Sequence, residues 1–381
     1  MDKSIASKGS DNMIRVGVVG LGKMGLSHHA MINAHPRVSI DAVCDSAGYL
    51  LDILNKYTGM RTFTRYEDML AEVPLDAVVI STPSRLHAPM VRAALERNIH
   101  VFCEKPLCLN TRDGEELTRL ASEKGLVNQV GYHHRFIGTF REVKRLLDLG
   151  AIGEVTHMRA EAYGPVVLKS AGSTWRTKRS EGGSCLYDYA AHPLNLLNWY
   201  LGEPRAVGSS MLNKMFSSDT EDIVVGTLYF DQSKSAQIFV NWSDESYRKM
   251  STKISAWGKN GSIVADRQEM QVYLRNADGA PDGYCQGWNV RYTTDLTNPV
   301  WFYLRGEEYS AQLDHFVQCI DSNGAEENIN SFSEAAITDR IIAMMIDDAQ
   351  RDPLTSHSHM PAPTDGKREK RFLFGTGGAR H

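Results

Sequence analysis

A carboxylate and an imidazole stand four positions apart at Asp188 and His192. Residues with this spacing share one face of an α-helix, so a single helical turn would bring the two side chains together. Histidine accepts a proton near neutral pH without much tuning of its pKa, so the pair could act as a general base with an acidic partner. A capping aspartate followed by a packed histidine fits the same spacing. Pro193 disfavours helical geometry at the residue before it, so the stretch could also be a turn that leads into a helix.

Lys105 is a second residue whose surroundings suit chemistry. It follows the apolar run 100–103, which predicts a buried strand, and it precedes Pro106. An ammonium group at the carboxyl edge of a sheet stabilises negative charge on a nearby oxygen and lowers the pKa of a hydroxyl group there. The position therefore predicts either an electrostatic catalyst or a lysine on a solvated loop.

The elements that would position these groups begin at a glycine-rich turn after the apolar run 14–19. Gly20 would allow a tight turn, Gly22 would let the backbone approach a pyrophosphate, and Gly25 would let the next helix pack closely on the sheet. The helix N-terminus would then face the phosphates. Three glycines alone are a weak signal, and an ordinary strand-to-helix turn is the alternative.

Asp45 strengthens the dinucleotide interpretation. It ends the second apolar run, 38–44, at about the 20-residue spacing typical of the acid that binds an adenine ribose. Its carboxylate would accept hydrogen bonds from both ribose hydroxyls and would repel a 2′-phosphate, and Ser46 and Ala47 offer no arginine to neutralise one. The sequence therefore predicts NAD as the cofactor, with NADP less favoured.

The composition is that of a globular protein. The 381 residues are 42% hydrophobic and 23% charged, which suits about two domains. A net charge of -4 creates no field that favours nucleic acid or anionic lipid, so neither is expected as a partner. Six cysteines without a C-x-x-C pair predict reduced thiols and a cytoplasmic location. The thirteen histidines form no H-x-x-x-H pattern, which predicts no metal site.

The pattern of apolar segments divides the chain. Apolar runs alternate with helical patterns over residues 13–133, which is typical of a doubly wound parallel sheet of the Rossmann type. The run 77–80 ends in a turn at Ser81-Thr82-Pro83, at the sheet edge where ligands bind. The predicted strands of this domain are 14–19, 38–44, 77–80, 100–103 and 126–130.

Residues 134–350 show longer, alternating segments, which predict an α+β domain with a large, mostly antiparallel open sheet. Helices near 194–201, 309–320 and 333–348 would cover one face of this sheet. The other face would be buried against a second subunit, giving a homodimer or homotetramer. The predicted strands are 155–163, 207–215, 223–230, 236–242, 254–257 and 272–274.

The two ends of the chain are polar. Residues 1–12 lack the apolar core of a signal peptide and are expected to form a flexible leader. Residues 351–381 contain several prolines and a basic run, and are expected to form a peripheral or disordered tail. No run of 18 apolar residues occurs in the sequence, so no membrane partner is expected.

Several motifs occur in register over roughly residues 13–350, and together they resemble the glucose-fructose oxidoreductase / inositol dehydrogenase (Gfo/Idh/MocA) family. The motifs are the glycine-rich turn 20–25, Ser81-Thr82-Pro83 with His87, Glu104-Lys105-Pro106, Gly131-Tyr132-His133-His134-Arg135-Phe136, and Gly182-Gly183 before Asp188 and His192. Their common order makes the resemblance more specific than any single motif.

The resemblance implies nicotinamide-dependent redox chemistry at a ring hydroxyl of a sugar or cyclitol. It implies Lys105, Asp188 and His192 as the catalytic residues, with a Lys-Pro bond that is often cis. The residues predicted at the cofactor are Gly20, Gly22, Lys23, Met24, Gly25, Asp45, Ser81, Thr82, Pro83, His87, Glu104 and Lys105. The residues predicted at the substrate are Lys105, His133, His134, Tyr163, Trp175, Arg176, Asp188 and His192.

The sequence departs from the family pattern at Asn195, where the family often has an acid three residues after the histidine. This leaves the polar contacts to the substrate open. Adjacent histidines such as His133 and His134 are also common on surfaces, and the aromatic candidates could pack in the protein rather than stack on a sugar ring.

Three classes of function remain open from the sequence. The first is an NAD-dependent dehydrogenase or ketoreductase for a sugar, nucleotide sugar or cyclitol. The second is a hydrolase that cleaves glycosides through transient oxidation by NAD, although no further acid is evident for protonation of a leaving group. The third is a regulator that keeps the cofactor fold without turnover, which the retention of Lys105, Asp188 and His192 disfavours.

Overall fold

The computed structural model describes residues 13–169 and 175–351. The leader 1–12 and nearly all of the tail 351–381 lie outside this range, as do residues 170–174. Within it, no helix combines the length and the apolar character that a membrane span requires. Among the described residues, the structure consists of two β-sheets with helices packed on them.

The first sheet has six parallel strands in the order β3-β2-β1-β4-β5-β6, so the predicted doubly wound parallel sheet is confirmed. Strand order reverses between β1 and β4, and such a switch point is where α/β proteins bind ligands. The strands are β1 (Ile14–Val19), β2 (Val38–Cys44), β3 (Arg61–Phe63), β4 (Ala77–Ile80), β5 (His100–Cys103) and β6 (Asn128–Val130).

Five helices connect these strands. Because parallel strands need crossovers that cover the sheet, the strands are buried on both faces and read as continuous apolar runs. The helices are α1 (Lys23–Asn33), α2 (Gly48–Thr58), α3 (Tyr66–Glu72), α4 (His87–Glu96) and α5 (Thr111–Glu123). The sequence did not predict β3 or α3, because a three-residue strand and a two-turn helix are too short to show a period.

The second sheet has eight strands in the order β14-β13-β12-β11-β7-β10-β9-β8. Strands β7 and β10 are parallel and the other neighbours are antiparallel, so the predicted mostly antiparallel open sheet is confirmed. The strands are β7 (Val155–Tyr163), β8 (Ala206–Asn213), β9 (Ile223–Tyr229), β10 (Ser235–Asn241), β11 (Ser251–Gly258), β12 (Gly261–Ala265), β13 (Glu269–Leu274) and β14 (Gly287–Tyr292).

The remaining helices are α6 (Gly138–Asp148), α7 (Ala191–Leu201), α8 (Thr293–Leu296), α9 (Glu307–Asp321) and α10 (Phe332–Ala349). Helix α7 packs on the buried face of the second sheet and α10 packs on α5, α7 and β8. Helix α9 differs from the prediction, because its Leu313 and Phe316 pack with Val16 and Phe102 of the first sheet. An amphipathic pattern predicts a buried helix face but does not identify the sheet that covers it.

A buried carboxyl group lies on α10 at Asp339. Its Oδ2 accepts the N–H of Cys108 at 3.1 Å, and its Oδ1 has no partner among the described residues. Burial raises the pKa of Asp339 to about 8, although the Cys108 hydrogen bond and the charge of Arg340 oppose that shift. The folded protein therefore holds a proton on this carboxyl group at neutral pH.

We expect Asp339→Asn to stabilise the protein progressively as the pH rises from about 5 to about 8. In this interval the unfolded chain ionises Asp339 while the folded chain retains the proton, so wild-type stability falls by up to about 1.4 kcal/mol per pH unit. Asparagine keeps an acceptor for the Cys108 N–H and does not ionise. Denaturant unfolding of both proteins across this range measures the effect. A difference in the free energy of unfolding that stays constant with pH contradicts the prediction.

Candidate active site

The carboxyl ends of β1, β4 and β5 meet at one edge of the first sheet. Backbone hydrogen bonds from Ser81 N to Val19 O at 2.8 Å and from Glu104 N to Ile80 O at 2.9 Å hold the three strand ends in register. The glycine-rich turn, the Ser81-Thr82-Pro83 turn and the segment that carries Lys105 therefore lie side by side.

The glycine-rich turn has the shape that a pyrophosphate requires. Gly20 has φ +86°, and a Cβ there would lie 2.7 Å from the Ser81 carbonyl oxygen. A Cβ on Gly25 would overlap the backbone of Gly20, whereas a Cβ on Gly22 would meet no atom within 4 Å. Helix α1 starts directly after Gly22 and has no side-chain cap. Open space therefore adjoins unpaired helix N–H groups, an arrangement that fits a dinucleotide. Lys23 is exposed and Met24 is half-buried beside this space.

Asp45 is held at the end of β2 by the turn itself. Its Oδ2 accepts the N–H of Leu21, and its Oδ1 accepts the N–H of Ala47 at 2.7 Å. The carboxylate is therefore fixed next to the glycine-rich turn.

Replacing Asp45 tests the cofactor preference. We expect Asp45→Ser combined with Ser46→Arg to shift the preference from NAD toward NADP, because the carboxylate that repels a 2′-phosphate is lost and a guanidinium that binds one is gained. Steady-state kcat/KM with each cofactor measures the shift. Comparable or better efficiency of the wild-type protein with NADP is the result that contradicts the assignment.

The Ser81-Thr82-Pro83 turn and His87 have different surroundings. Ser81 Oγ is buried without a partner among the described residues, and Pro83 is exposed. His87 is buried, with Nδ1 2.7 Å from Pro106 O and Nε2 2.9 Å from Thr82 O. Burial lowers the pKa of His87, against the raising effect of these two hydrogen bonds. His87 thus lies behind the carboxyl edge of the first sheet, where it links the turn at Thr82 to the segment at Pro106.

Lys105 and Asp188 form the charged centre of the site. Lys105 Nζ lies 2.7 Å from Asp188 Oδ1 and 3.0 Å from the Asp188 carbonyl oxygen, and the Lys105-Pro106 peptide is cis. Arg176 Nε lies 3.3 Å from the other carboxylate oxygen. Burial opposes ionisation of Asp188, but the charges of Lys105 and Arg176 lower its pKa overall. The carboxylate is therefore ionised and fixes the position of the ammonium group.

His192 reaches the site from α7. A π-helical turn, Leu186–Ala190, leads directly into α7, so the stretch from Asp188 to His192 is helical although Pro193 follows it. No hydrogen bond joins Asp188 to His192 among the described contacts, since Asp188 binds Lys105 and Arg176 instead. The spacing therefore predicted a contact between Asp188 and His192 that the described residues do not make.

Three histidines converge beside Lys105. The candidate ligand atoms of His133, His134 and His192 lie within 4.8 Å of one another, and all three side chains are buried. Both ring nitrogens of His134 and Nδ1 of His192 lack partners among the described residues. Burial, followed by neighbouring charges that include Lys105 and Arg267, lowers the pKa of each histidine well below its usual value. All three are therefore neutral at neutral pH.

This histidine cluster could in principle hold a transition metal, because neutral imidazoles are common ligands for such ions. The sequence pattern had indicated no metal site, since His192 is remote from the other two histidines along the chain. The cluster contains no carboxylate or thiolate, and the positive charges of Lys105 and Arg267 oppose a divalent cation. The local charge thus favours proton and substrate chemistry.

Of the other residues predicted at the substrate, some lie beside Lys105 and Asp188 and one does not. Arg176 reaches the site through Asp188, and Trp175 stacks with the Arg176 guanidinium at 4.6 Å while remaining 46% exposed. Tyr163 does not join the cluster. Its hydroxyl donates to Glu161 at 2.6 Å and its ring stacks on Tyr247, on the sheet face opposite the buried one that carries α7.

Asn195 also points away from the site. The buried guanidinium of Arg135 donates from Nε to Asn195 Oδ1 at 2.8 Å and from Nη2 to Asn198 Oδ1 at 3.0 Å, and it pairs with Glu334. The position where the family often has an acid therefore supports a buried arginine in this chain.

Three residues near the cluster escaped prediction. Tyr309, on α9, stacks on His133 with ring centroids 4.3 Å apart. Arg267, between β12 and β13, pairs with the buried Glu308. Glu308 and Tyr309 are neighbours on α9, whereas Arg267 comes from a different part of the chain, and they form no motif that a local sequence signal could have identified.

A Rossmann domain whose nucleotide edge meets a fixed lysine and a buried histidine cluster defines the class of pyridine-nucleotide oxidoreductases. The oxidoreductase family with an NAD-binding Rossmann fold matches residues 14–132, and the GFO/IDH/MocA C-terminal domain matches residues 140–264. Together these matches cover more than half of the chain. The chain therefore belongs to the GFO/IDH/MocA family of NAD-binding oxidoreductases.

Individual relatives are distant. The chain is 26% identical to the uncharacterized oxidoreductase YrbE of Bacillus subtilis (strain 168), over 66% of this chain and 74% of the relative. It is 23% identical to scyllo-inositol 2-dehydrogenase (NAD(+)) of the same organism, over 81% and 87% of the two chains. Levoglucosan dehydrogenase in complex with NADH has a similar fold, with a TM-score of 0.78, 21% identity, and coverage of 89% and 97%.

Proposed function

We propose that this protein transfers hydride between a ring secondary hydroxyl, or the corresponding ketone, of a sugar, nucleotide sugar or cyclitol and the nicotinamide of NAD. The observation that carries the proposal is the contact of Lys105 Nζ with Asp188, 2.7 Å long, at the nucleotide edge and beside three neutral histidines. The names of relatives such as scyllo-inositol 2-dehydrogenase and levoglucosan dehydrogenase support this substrate class.

Each residue of the candidate site has a separate proposed role in alcohol oxidation. Removal of the hydroxyl proton needs a neutral base, and His192 is neutral and its Nδ1 has no partner among the residues that the structure describes. Lys105 stabilises the negative charge that develops on the substrate oxygen, and Asp188 holds the ammonium group in place. His133, His134 and Arg176 are the proposed substrate contacts. NAD, when bound, supplies the hydride acceptor.

A redox-neutral activity is the second candidate, and the histidine cluster favours it. A hydrolase that oxidises its substrate transiently needs a further group beside the new ketone. This group takes the proton from the carbon next to the ketone and assists departure of the leaving group. The sequence offered no such residue, but the structure brings His133 and His134 within 4.8 Å of His192.

A panel of sugars, cyclitols and nucleotide sugars incubated with NAD tests the proposal. Net formation of NADH together with a ketone product is the expected result. Release of an aglycone without accumulation of NADH would instead support the redox-neutral candidate. Binding of NAD without conversion of any substrate would contradict both and support a regulator.

We also propose that the protein is a homodimer or homotetramer joined through the second sheet. Trp257, Tyr273 and Trp288 follow one row across strands β11 to β14 on the face away from the core, and they are 41%, 38% and 63% exposed. An exposed aromatic row of this kind is typical of a subunit interface. The proposed cytoplasmic location is supported by the six cysteines, none of which forms a disulfide.

The interface makes a separate prediction. We expect Trp288→Asp to reduce the mass in solution to that of a smaller species, because a charge buried in an apolar interface costs several kcal/mol. Light scattering measures the mass. Tyr49→Asp is the matched control, since Tyr49 is 75% exposed on α2 and should leave the mass unchanged. A wild-type protein that is monomeric rules the interface out.

A further inference from the structure

We propose that His28 and Glu104 form a positioning pair that fixes the backbone of Lys105. Glu104 was expected to contact the cofactor, but its carboxylate turns inward, with 14% of the side chain exposed. Its Oε1 lies 2.7 Å from His28 Nε2, and its Oε2 accepts the Lys105 N–H at 3.2 Å. One carboxylate therefore joins a buried histidine to the residue that carries the reactive ammonium group.

The carboxylate of Glu104 has little room to move. A Cβ on Gly131 would lie only 2.9 Å from Glu104 Oε1 and 3.1 Å from Oε2, so the bare backbone of Gly131 closes one side. His28 is fully buried on the other side, and its ring makes an edge-to-face contact with Phe102 of β5 at 5.2 Å. The contacts from His28 and Gly131 thus restrict the carboxylate in the orientation that receives the Lys105 N–H.

The charge of Glu104 depends on His28. Burial opposes ionisation of Glu104, but the hydrogen bond from His28, with the charges of His28 and Lys105, lowers its pKa overall. If His28 is removed, the buried charge of the Glu104 carboxylate loses the hydrogen bond that offsets its desolvation. The carboxylate then moves toward another hydrogen-bond donor or toward water. Such a movement would shift Lys105, which is joined to Glu104 by both a peptide bond and a hydrogen bond.

His28 also lies on α1, the helix that starts at the glycine-rich turn. The pair therefore ties the cofactor edge to Lys105, and a shift of Lys105 would misplace the ammonium relative to both nicotinamide and substrate. A misplacement of about 1 Å can lower turnover about hundredfold. This inference rests on the proposed role of Lys105 in oxidation.

The test is a double-mutant cycle between His28→Leu and Lys105→Ala. We expect His28→Leu to lower kcat and kcat/KM together by about tenfold or more, with the Kd for NAD changed by less than about threefold. In the Lys105→Ala background, His28→Leu should cause no further loss, because its effect passes through Lys105. An equal loss in both backgrounds would overturn the inference.

Two further variants separate positioning from general stability. His28→Gln keeps a donor near the position of Nε2 and should restore most of the turnover that His28→Leu loses. His35→Leu is the matched control: His35 is also buried and pairs with Asp314 at 3.1 Å, remote from Lys105, so its loss should leave kcat unchanged. A comparable fall in kcat in His35→Leu, or no rescue by glutamine, would overturn the positioning role.

Gly131→Ala reaches the same carboxylate from the other side and keeps the inference testable if His28→Leu does not fold. The added methyl group must displace Glu104, so the variant should show the same fall in kcat with nearly unchanged NAD affinity. Wild-type kcat in Gly131→Ala would overturn the inference. If Lys105→Ala itself retains wild-type turnover, the proposed role of Lys105 fails. If no substrate of the panel is converted, the proposed function fails. If Lys105→Ala loses turnover while His28→Leu and Gly131→Ala keep it, only the positioning role fails, so the failures are distinguishable.

Discussion

Replacing Lys105 with alanine is expected to lower turnover about hundredfold or more while changing the affinity for NAD only a few fold. The ammonium group acts on the charge that develops on the substrate oxygen in the transition state, and its contacts in the resting protein are with Asp188 rather than with the nucleotide turn. Stopped-flow and steady-state kinetics measure turnover. Quenching of the protein fluorescence on titration with NAD measures binding, so the two effects are separated.

A matched control for this variant is Lys144→Ala. Lys144 pairs with Asp148 on the exposed side of α6, so removing it should change neither turnover nor NAD affinity. Wild-type turnover in a correctly folded Lys105→Ala protein would make Lys105 a structural loop residue and would remove it from the catalytic residues.

The second large effect is expected at His192. His192→Ala should cut alcohol oxidation severely, because the group that accepts the hydroxyl proton is lost. The rate of alcohol oxidation should rise with pH through an acid limb set by the pKa of this base, and the ordinary pKa of histidine is about 6.5. In the structure, burial and the positive charges of Lys105 and Arg267 lower the pKa of His192, so the acid limb should lie clearly below this value.

The neighbouring charges predict the direction of further shifts. Asp188 carries the negative charge that offsets Lys105 and Arg176, so Asp188→Asn should leave those cations uncompensated and move the acid limb to lower pH. Lys105→Ala removes a positive charge and should move the limb of the residual activity to higher pH. A limb that stays in place in both variants would show that its group is not His192.

The geometry of the glycine-rich turn could be predicted from the sequence because it is local. Gly20, Gly22 and Gly25 act within one turn, and Asp45 is fixed by two backbone N–H groups of neighbouring segments. Lys105 was readable for the same reason, since it directly follows a buried strand. The parallel character of the first sheet also follows from the alternation of apolar runs and helices.

The substrate half depends on contacts between distant residues, and the sequence was less informative there. The partner of Asp188 is Lys105, 83 positions away, and the i, i+4 spacing to His192 suggested a different pair. Tyr163 and Asn195 have the residue types of a sugar site, yet Tyr163 faces the far side of the sheet and Asn195 binds Arg135. Which face a residue presents is decided by packing that a short window does not contain.

The sequence was also less informative about some strands and helices. Strands β12 and β14 were not predicted, because their alternation extends over only five and six residues with glycine or polar residues among them. Helix α9 was predicted with nearly correct ends but on the wrong sheet. Residue propensity and hydrophobic period predict that a helix or strand is present. The sheet on which it packs depends on the complete hydrophobic core.

The measurement that tests the central claim most directly is the pH dependence of alcohol oxidation in the wild-type protein and in His192→Ala, recorded side by side with the same substrate. If neutral His192 takes the hydroxyl proton beside Lys105, the wild-type rate rises with pH through an acid limb below about pH 6.5, and His192→Ala shows a low rate without that limb. An acid limb of full height that survives in His192→Ala would contradict the account and would transfer the role of the base to Lys105.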